Sequence, residues 1–292
     1  MENFVGYREL QVTDGELNLA FPLRVLYPTS TTGQAENVGP YTLDVARDAS
    51  ISPGVFPLVV LSHGTGSSGL VHRNLAHHLA RHGFVVGLPE HPYNNRDDDS
   101  WAHTTQNLMA RPRHLQLAID ALFQQFSASL KPEVVGLIGH SLGGYTALAL
   151  AGGQPTATPR DSPDWQQQPI PVPVDARVKA VVLLAPATPW FLKKGALHNV
   201  RVPILLLEGE KDEHASAWHG QIVLNGVSDR RRVTHRVVPN AGHFSFLSPF
   251  PAARVSPAFP PSQDPPGFVR ARFHEEMNAE IQAFLMRELG SH

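Results

Sequence analysis

The chain has 292 residues, of which 42% are hydrophobic and 17% charged, and it contains no cysteine. The absence of cysteine excludes disulfide bonds, thiolate metal sites and a cysteine nucleophile. A formal net charge of −2 offers no basic field for nucleic acid, and no apolar run approaches the ~18 residues of a membrane span. Because the first residues also lack the basic and apolar regions of a signal peptide, we expect a cytoplasmic protein.

The N-terminal segment alternates between apolar and polar residues on both sides of an Asp14-Gly15 turn. This pattern, over residues 5–12 and 17–27, predicts an antiparallel hairpin. Residues 29–54 are polar and contain glycine, proline and serine, which predicts a loop.

After this segment, short apolar runs alternate with helical patterns. The runs are typical of strands buried on both faces, and they occupy residues 58–61, 84–88, 134–138, 178–184, 204–207 and 233–238. Helices are predicted around residues 71–79 with Gly83 as the C′ residue, from Pro112 onward, and over 142–151 and 268–289. The alternation predicts an α/β fold with a doubly wound, mostly parallel sheet.

Two segments, residues 151–175 and 249–266, hold 13 of the 26 prolines. Such segments are neither core strands nor helices. We expect a single domain spanning residues 1–292, with these excursions forming small, loop-rich lids over an active site. The alternative is that they are surface insertions without a function.

A nucleophile motif, G-x-S-x-G, occupies residues 139–143. It follows a predicted buried strand and precedes a helix of small residues, which is the context that the motif requires. Ser141 is therefore the candidate nucleophile. The flanking glycines are needed because side chains in so sharp a turn would clash with the neighbouring backbone.

A serine nucleophile needs an oriented base. Asp212 and His243 each follow a predicted strand, where open α/β sheets place their sites, and they come after Ser141 in the order Ser, Asp, His. Glu210 and Glu213 are the alternatives to Asp212 as the acid.

The oxyanion of a tetrahedral intermediate needs two backbone donors. The N–H of Leu142, which follows the nucleophile, is predicted as the first donor. The N–H of Thr65, in the glycine-rich segment after the strand at 58–61, is predicted as the second. The alternative interpretation of that segment is an ordinary glycine turn.

These motifs resemble those of the α/β-hydrolases, in the branch of dienelactone hydrolase-like and platelet-activating-factor acetylhydrolase-like proteins. The matching segments are residues 61–64, 89–92, 139–144, 209–212 and 242–243. The resemblance implies the α/β-hydrolase fold, a Ser141–His243–Asp212 triad and cleavage of an ester or amide. The acid follows the strand at 204–207, as on the dienelactone hydrolase-like side, and residues 184–187 hold no carboxylate where the acetylhydrolases carry theirs. Serine stands where the founding dienelactone hydrolases have cysteine.

Further residues are candidates for the substrate pocket: His63, His91, His140, Trp190 and Phe244. Other aromatic residues in predicted loops could contribute as well, namely Trp101, Trp165, Phe246 and Phe250. Alternatively, the histidines give structural support and the aromatic residues cover the core. The acidic run at 97–99 is interpreted as a solvated loop, or as a rim that favours a cationic substrate. His77, His78 and His82 are interpreted as a solvated helix face, with no metal site.

Together these features predict a serine hydrolase that cleaves a carboxylic ester through an acyl-enzyme on Ser141 and needs no metal or organic cofactor. The expected partner is a small-molecule ester or amide. An amidase or peptidase with the same triad is an alternative, as is a ligand-binding protein of low turnover. Activity is expected to fall at acidic pH, where His243 becomes protonated. The sequence defines neither the substrate nor the oligomeric state.

Overall fold

The computed structural model describes residues 4–162 and 166–290. Ten strands are found in these residues: β1 (Phe4–Asp14), β2 (Leu19–Thr29), β3 (Gln34–Val38), β4 (Tyr41–Arg47), β5 (Phe56–Ser62), β6 (Val85–Pro89), β7 (Leu130–His140), β8 (Val178–Leu184), β9 (Ile204–Gly209) and β10 (Val233–Val238). The five α-helices in the same residues are α1 (Arg73–Arg81), α2 (Thr105–Gln125), α3 (Leu142–Leu150), α4 (Ala217–Gly226) and α5 (Arg270–Gly290).

The strands form one sheet in the order β10-β9-β8-β7-β5-β6-β2-β1-β4-β3. The six strands from β10 to β6 are mutually parallel, whereas β2 is antiparallel to β6 and to β1. The predicted N-terminal hairpin and the mostly parallel sheet are therefore confirmed. Helices α2, α3 and α4 pack on one face of the sheet, and α1 and α5 pack on the other, as a doubly wound sheet requires.

The prediction of a loop over residues 29–54 is wrong, because β3 and β4 form an antiparallel hairpin there. Tyr41, Leu43 and Val45 are buried while the residues between them are exposed, which is the two-residue period of a half-buried strand. The preceding strand β3 is polar and largely exposed, so the composition of residues 29–54 as a whole did not reveal this period.

The predicted start of a helix at Pro112 is also wrong, because α2 begins seven residues earlier and Pro112 lies inside it. Thr104 caps the helix by accepting a hydrogen bond from the N–H of Asn107 (3.1 Å). Proline lacks the N–H that would bond to the carbonyl of Leu108. The hydroxyl of Tyr145 on α3 donates to that carbonyl instead (2.9 Å), so α2 continues through the proline.

The predicted helices near 71–79, 142–151 and 268–289 are present as α1, α3 and α5, and Gly83 follows α1 with a φ of +89°. Helix α4 has no counterpart in the sequence prediction. In the described ranges, no helix combines the length and the apolar character needed to cross a membrane.

Candidate active site

Ser141 lies in the sharp turn between β7 and α3. Its φ of 53° and ψ of −120° place a non-glycine residue in a strained conformation, which is typical of functional sites. Its N–H donates to the carbonyl of Leu184 at the end of β8 (3.1 Å), and its carbonyl accepts from Ala187 (2.9 Å). The end of β8 and the segment that follows it thus hold the backbone of Ser141 through both its N–H and its carbonyl.

The glycines around Ser141 are required because the backbone approaches itself closely. A β-carbon on Gly139 would overlap the carbonyl of Gly143, and one on Gly143 would overlap the carbonyl of Ser62. The neighbouring atoms belong to the backbone, so they cannot move aside as a flexible side chain would.

Replacing Gly143 with alanine should therefore destabilise the protein by about 3 kcal/mol or more. We expect Tm to fall by about 5–10 °C in a thermal unfolding experiment. Gly15→Ala is the matched control, since no atom lies within 4 Å of a β-carbon there. A Tm for Gly143→Ala equal to that of Gly15→Ala would contradict this account of the turn.

Asp212 and His243 form a buried pair at the carboxyl ends of β9 and β10. Their Oδ2 and Nδ1 atoms are 2.8 Å apart. The other carboxylate oxygen of Asp212 accepts from the N–H groups of His214 (2.8 Å) and Ala215 (2.7 Å). Burial acts to raise the pKa of Asp212, but the hydrogen bonds from His243, Ala215 and His214 outweigh it and hold that pKa below its usual value. The carboxylate is therefore ionised and fixed in orientation.

The alternative acids do not approach His243 in this way. Glu210 is exposed, and its carboxylate accepts from the N–H of Asn240 (2.7 Å). Glu213 is exposed as well. Of these three acids, it is Asp212 whose carboxylate forms the hydrogen bond with His243 in the described residues.

The segment after β5 passes directly beside the turn at Ser141. A β-carbon on Gly64 would lie 3.2 Å from the β-carbon of Ser141, so a side chain there would press against the nucleophile. Thr65 and Leu142, the two predicted oxyanion donors, line the same cavity as Ser141 and His243.

This cavity has a volume of about 640 Å³. Aromatic and aliphatic side chains form much of its wall, namely Tyr41, Leu108, Trp190, Phe244, Phe250 and Phe259. Both proline-rich segments contribute to the lining, the first with Thr158, Arg160 and Asp161 and the second with Phe250, Arg254, Phe259 and Pro261. Such a cavity can enclose a largely apolar small molecule next to Ser141.

Of the five predicted pocket residues, His140, Trp190 and Phe244 line the cavity. The Nε1–H of Trp190 donates to the carboxylate of Asp161 (2.7 Å), which fixes the indole. The ring nitrogen Nε2 of His140 is 3.1 Å from the carbonyl of His243, and burial lowers the pKa of His140 to about 3. A neutral His140 thus holds the backbone of His243 beside the turn at Ser141.

His63 and His91, the other two predicted pocket residues, lie outside the cavity wall. Both are fully buried behind the segment that contains Thr65, and neither is part of the cavity wall. They bond to the backbone and to Ser62, which is the structural support that was considered as the alternative.

The remaining candidates lie apart from the cavity or outside the described residues. Trp101 stacks on Tyr93 with ring centroids 4.5 Å apart, Phe246 is in the core, and Trp165 lies outside the described residues. The acidic run at 97–99 is exposed and does not line the cavity. Ring nitrogens of His77 and His78 contact Asp44 and Gln282.

Sequence reasoning missed several residues of the cavity wall, among them His214 and Tyr41. His214 lines the cavity, and its ring centroid is 5.0 Å from that of His243; its place two residues after Asp212 could have suggested this. Tyr41 was missed because it was assigned to a loop.

The sheet order, the turn at Ser141 and the acid–histidine pair define an α/β-hydrolase fold. A family model described as chlorophyllase matches residues 29–159. A search of curated proteins found no match to the chain.

Solved structures give the same fold. A ferulic acid esterase from Streptomyces cinnamoneus aligns with a TM-score of 0.70 and 19% identity, over 99% of this chain and 91% of that chain. A dienelactone hydrolase from Anabaena variabilis ATCC 29413 aligns with a TM-score of 0.57 and 18% identity, over 99% of this chain and 100% of that chain. The predicted α/β-hydrolase fold and the likeness to dienelactone hydrolase-like proteins are confirmed.

Proposed function

We propose that this protein is a serine hydrolase that cleaves carboxylic esters through an acyl-enzyme on Ser141. The observation that carries the proposal is the buried hydrogen bond between Asp212 and His243 (2.8 Å) at the wall of the cavity in which Ser141 stands on a strained turn. A nucleophile on such a turn, a histidine in the wall of the same cavity and an acid that orients the histidine are the parts needed for acyl transfer.

In this mechanism His243 takes the proton of the Ser141 hydroxyl as that oxygen attacks the carbonyl carbon of the ester. Asp212 keeps the proton on Nδ1 of His243, so that Nε2 is free to act as the base, and stabilises the imidazolium that forms. The N–H groups of Thr65 and Leu142 stabilise the oxyanion. His243 then protonates the leaving alcohol, and a water molecule activated by His243 releases the acid.

The apolar wall of the cavity supports an ester in which the acid or the alcohol carries a sizeable apolar group. The names of the two structural relatives, an esterase and a hydrolase, support the same reaction class. The reaction as written uses side chains and backbone N–H groups of the chain itself, together with water.

A fluorophosphonate probe with an intact-mass readout tests the nucleophile. We expect one adduct on the wild-type protein and none on Ser141→Ala. Absence of labelling of a folded wild-type protein would contradict the serine hydrolase proposal and favour a binding protein.

Matched p-nitrophenyl esters and p-nitroanilides of increasing acyl length then test the bond that is cleaved. We expect turnover of the esters to exceed that of the anilides, with kcat/KM rising with apolar acyl size until the cavity is filled. A preference for the anilides would instead identify an amidase.

A further inference from the structure

A buried arginine lies directly behind the segment that carries Thr65. Arg111 is on α2, its side chain is fully buried, and the acceptors recorded for its guanidinium within the described residues are neutral. They are the hydroxyl of Thr146 (3.1 Å, from Nε), the amide oxygen of Asn94 (2.6 Å, from Nη1), the hydroxyl of Ser62 (3.2 Å, from Nη2) and the carbonyl of His63 (from Nη2).

The contact with His63 reaches the peptide that precedes Gly64. Nε2 of His63 accepts from the N–H of His91 (3.1 Å), so the ring proton is on Nδ1, and this atom donates to the carbonyl of Gly64 (2.7 Å). In a trans peptide the C=O and the N–H point in opposite directions. Holding the carbonyl of Gly64 therefore fixes the direction of the Thr65 N–H.

A second connection runs from Arg111 to Thr65 through Asn94. The fully buried amide of Asn94 accepts from Arg111 and donates to the hydroxyl of Thr65 (2.8 Å). Arg111 is thus linked to Thr65, the proposed oxyanion donor, by two routes. The first runs through His63, whose carbonyl accepts from Arg111 and whose ring holds the carbonyl of Gly64. The second runs through Asn94 to the Thr65 hydroxyl.

The same guanidinium also contacts the helix that follows the nucleophile. It donates to the hydroxyl of Thr146 on α3, and that hydroxyl donates to the carbonyl of Leu142 (3.0 Å). One side chain therefore joins the segments that carry the two proposed oxyanion donors, Thr65 and Leu142.

Burial of this cation has an electrostatic consequence. Burial lowers the pKa of Arg111 to about 9, so the guanidinium is charged at neutral pH. The carboxylates of Asp99 and Glu90 act to raise that pKa and offset part of the cost of removing the charge from water. The field of the guanidinium is felt strongly in the low-dielectric interior. Negative charge that develops on the substrate oxygen during acyl transfer would be favoured by this field.

We propose that Arg111 is a positioning residue for the oxyanion hole, which orders the segment 62–66 and stabilises the oxyanion through the Thr65 and Leu142 N–H groups. The inference rests on the proposed hydrolase function. Arg111 is thereby expected to stabilise the transition state and not to strengthen the binding of the substrate.

Arg111→Met and Arg111→Lys test this role in steady-state assays with a p-nitrophenyl ester. For Arg111→Met we expect kcat to fall about 10- to 100-fold with KM within about threefold of the wild type, since misplaced donors weaken transition-state stabilisation. The Ki of a trifluoromethyl ketone, which forms a tetrahedral adduct on serine, should rise by the same factor as kcat/KM falls. Arg111→Lys keeps the charge without the planar fork, and should give an intermediate loss.

Arg113→Met is the matched control. This arginine is two residues further along α2, is partly exposed, and pairs with Asp14 (2.7 Å) outside the site. Its kcat and inhibitor affinity should equal those of the wild type. Wild-type kcat in Arg111→Met would overturn the proposal, and so would a loss confined to KM.

Hydrogen exchange of the segment 62–66 gives a readout that does not depend on turnover. We expect faster exchange there in Arg111→Met and Arg111→Lys than in the wild type and in Arg113→Met. If the wild type turns over no ester, the hydrolase proposal fails, whereas the ordering role is still judged by exchange. Unchanged exchange of residues 62–66 in both Arg111 variants would overturn the ordering role. If Arg111→Met does not fold, the exchange of Arg111→Lys alone decides the question.

Discussion

Replacing Asp212 with asparagine is expected to lower kcat by about 10⁴-fold while leaving the fold intact. Asparagine has nearly the shape of aspartate, so it can still accept hydrogen bonds from the backbone N–H groups of His214 and Ala215. Its amide cannot provide the negative charge that stabilises the imidazolium of His243. Where the amide donates to Nδ1 of His243, the ring proton moves to Nε2 and the base is lost. The measurement is kcat with a saturating p-nitrophenyl ester.

Glu210→Gln and Glu213→Gln are the controls for this prediction, since they make the same change of carboxylate to amide on the same loop. Neither residue has a recorded bond to His243, so we expect kcat within about threefold of the wild type. A loss in Glu210→Gln as large as that in Asp212→Asn would show that the acid has been assigned to the wrong residue.

The parts of the fold and the candidate site that were predictable are those with a local pattern. Ser141, Asp212 and His243 each follow an apolar run, and parallel strands bring their carboxyl ends to one edge of the sheet. Order along the chain and alternation of elements were therefore enough to place these three residues together.

The parts that were missed depend on contacts between distant segments. Arg111 has the local pattern of a solvated helix residue, and only the packing of α2 against β5 and α3 shows that it is buried. Pro112 is tolerated inside α2 because Tyr145, 33 positions later in the printed sequence, supplies a partner for the carbonyl of Leu108. Local periodicity contains no information on such partners.

Acid should unfold this protein at a higher pH than the carboxyl groups alone would dictate, because six histidines are buried in neutral form around the site. Burial is the main cause of a lowered pKa in each, and the pKa is about 3 for three of them, about 4 for His274, and well below the usual value for the other two. The six residues are His63, His72, His91, His114, His140 and His274.

The direction of the effect follows from proton binding. A histidine in the unfolded chain takes up a proton as the pH falls through its ordinary pKa of about 6.5, whereas these buried rings stay neutral until a much lower pH. The unfolded state therefore binds more protons below pH 6.5, and the stability contribution of each buried neutral ring is lost as the pH falls from about 6.5 toward its folded pKa. The raised pKa values of Glu90 and Glu208 act in the opposite sense, but they are fewer.

The magnitude is large relative to the total stability of a domain. Each group removes about 1 kcal/mol between pH 6.5 and 5.5 and about 1.4 kcal/mol per further pH unit, so six groups together remove about 6 kcal/mol over the first unit. Domains are stable by only about 5–15 kcal/mol. We therefore expect the midpoint of acid unfolding to lie near pH 5–5.5.

Urea unfolding at a series of pH values, with His72→Leu as the test variant, checks this origin of the acid sensitivity. The ring nitrogens of His72 have no hydrogen-bond partner within the described residues. Leucine therefore removes a titrating group without breaking a hydrogen bond in that part of the chain. We expect the slope of unfolding free energy against pH, measured between pH 6.5 and 5, to decrease by about 1 kcal/mol per pH unit in His72→Leu. The same substitution at the exposed His198 should leave the slope unchanged. Equal slopes in the two variants, or a wild-type stability independent of pH over this range, would show that the buried histidines do not control acid unfolding.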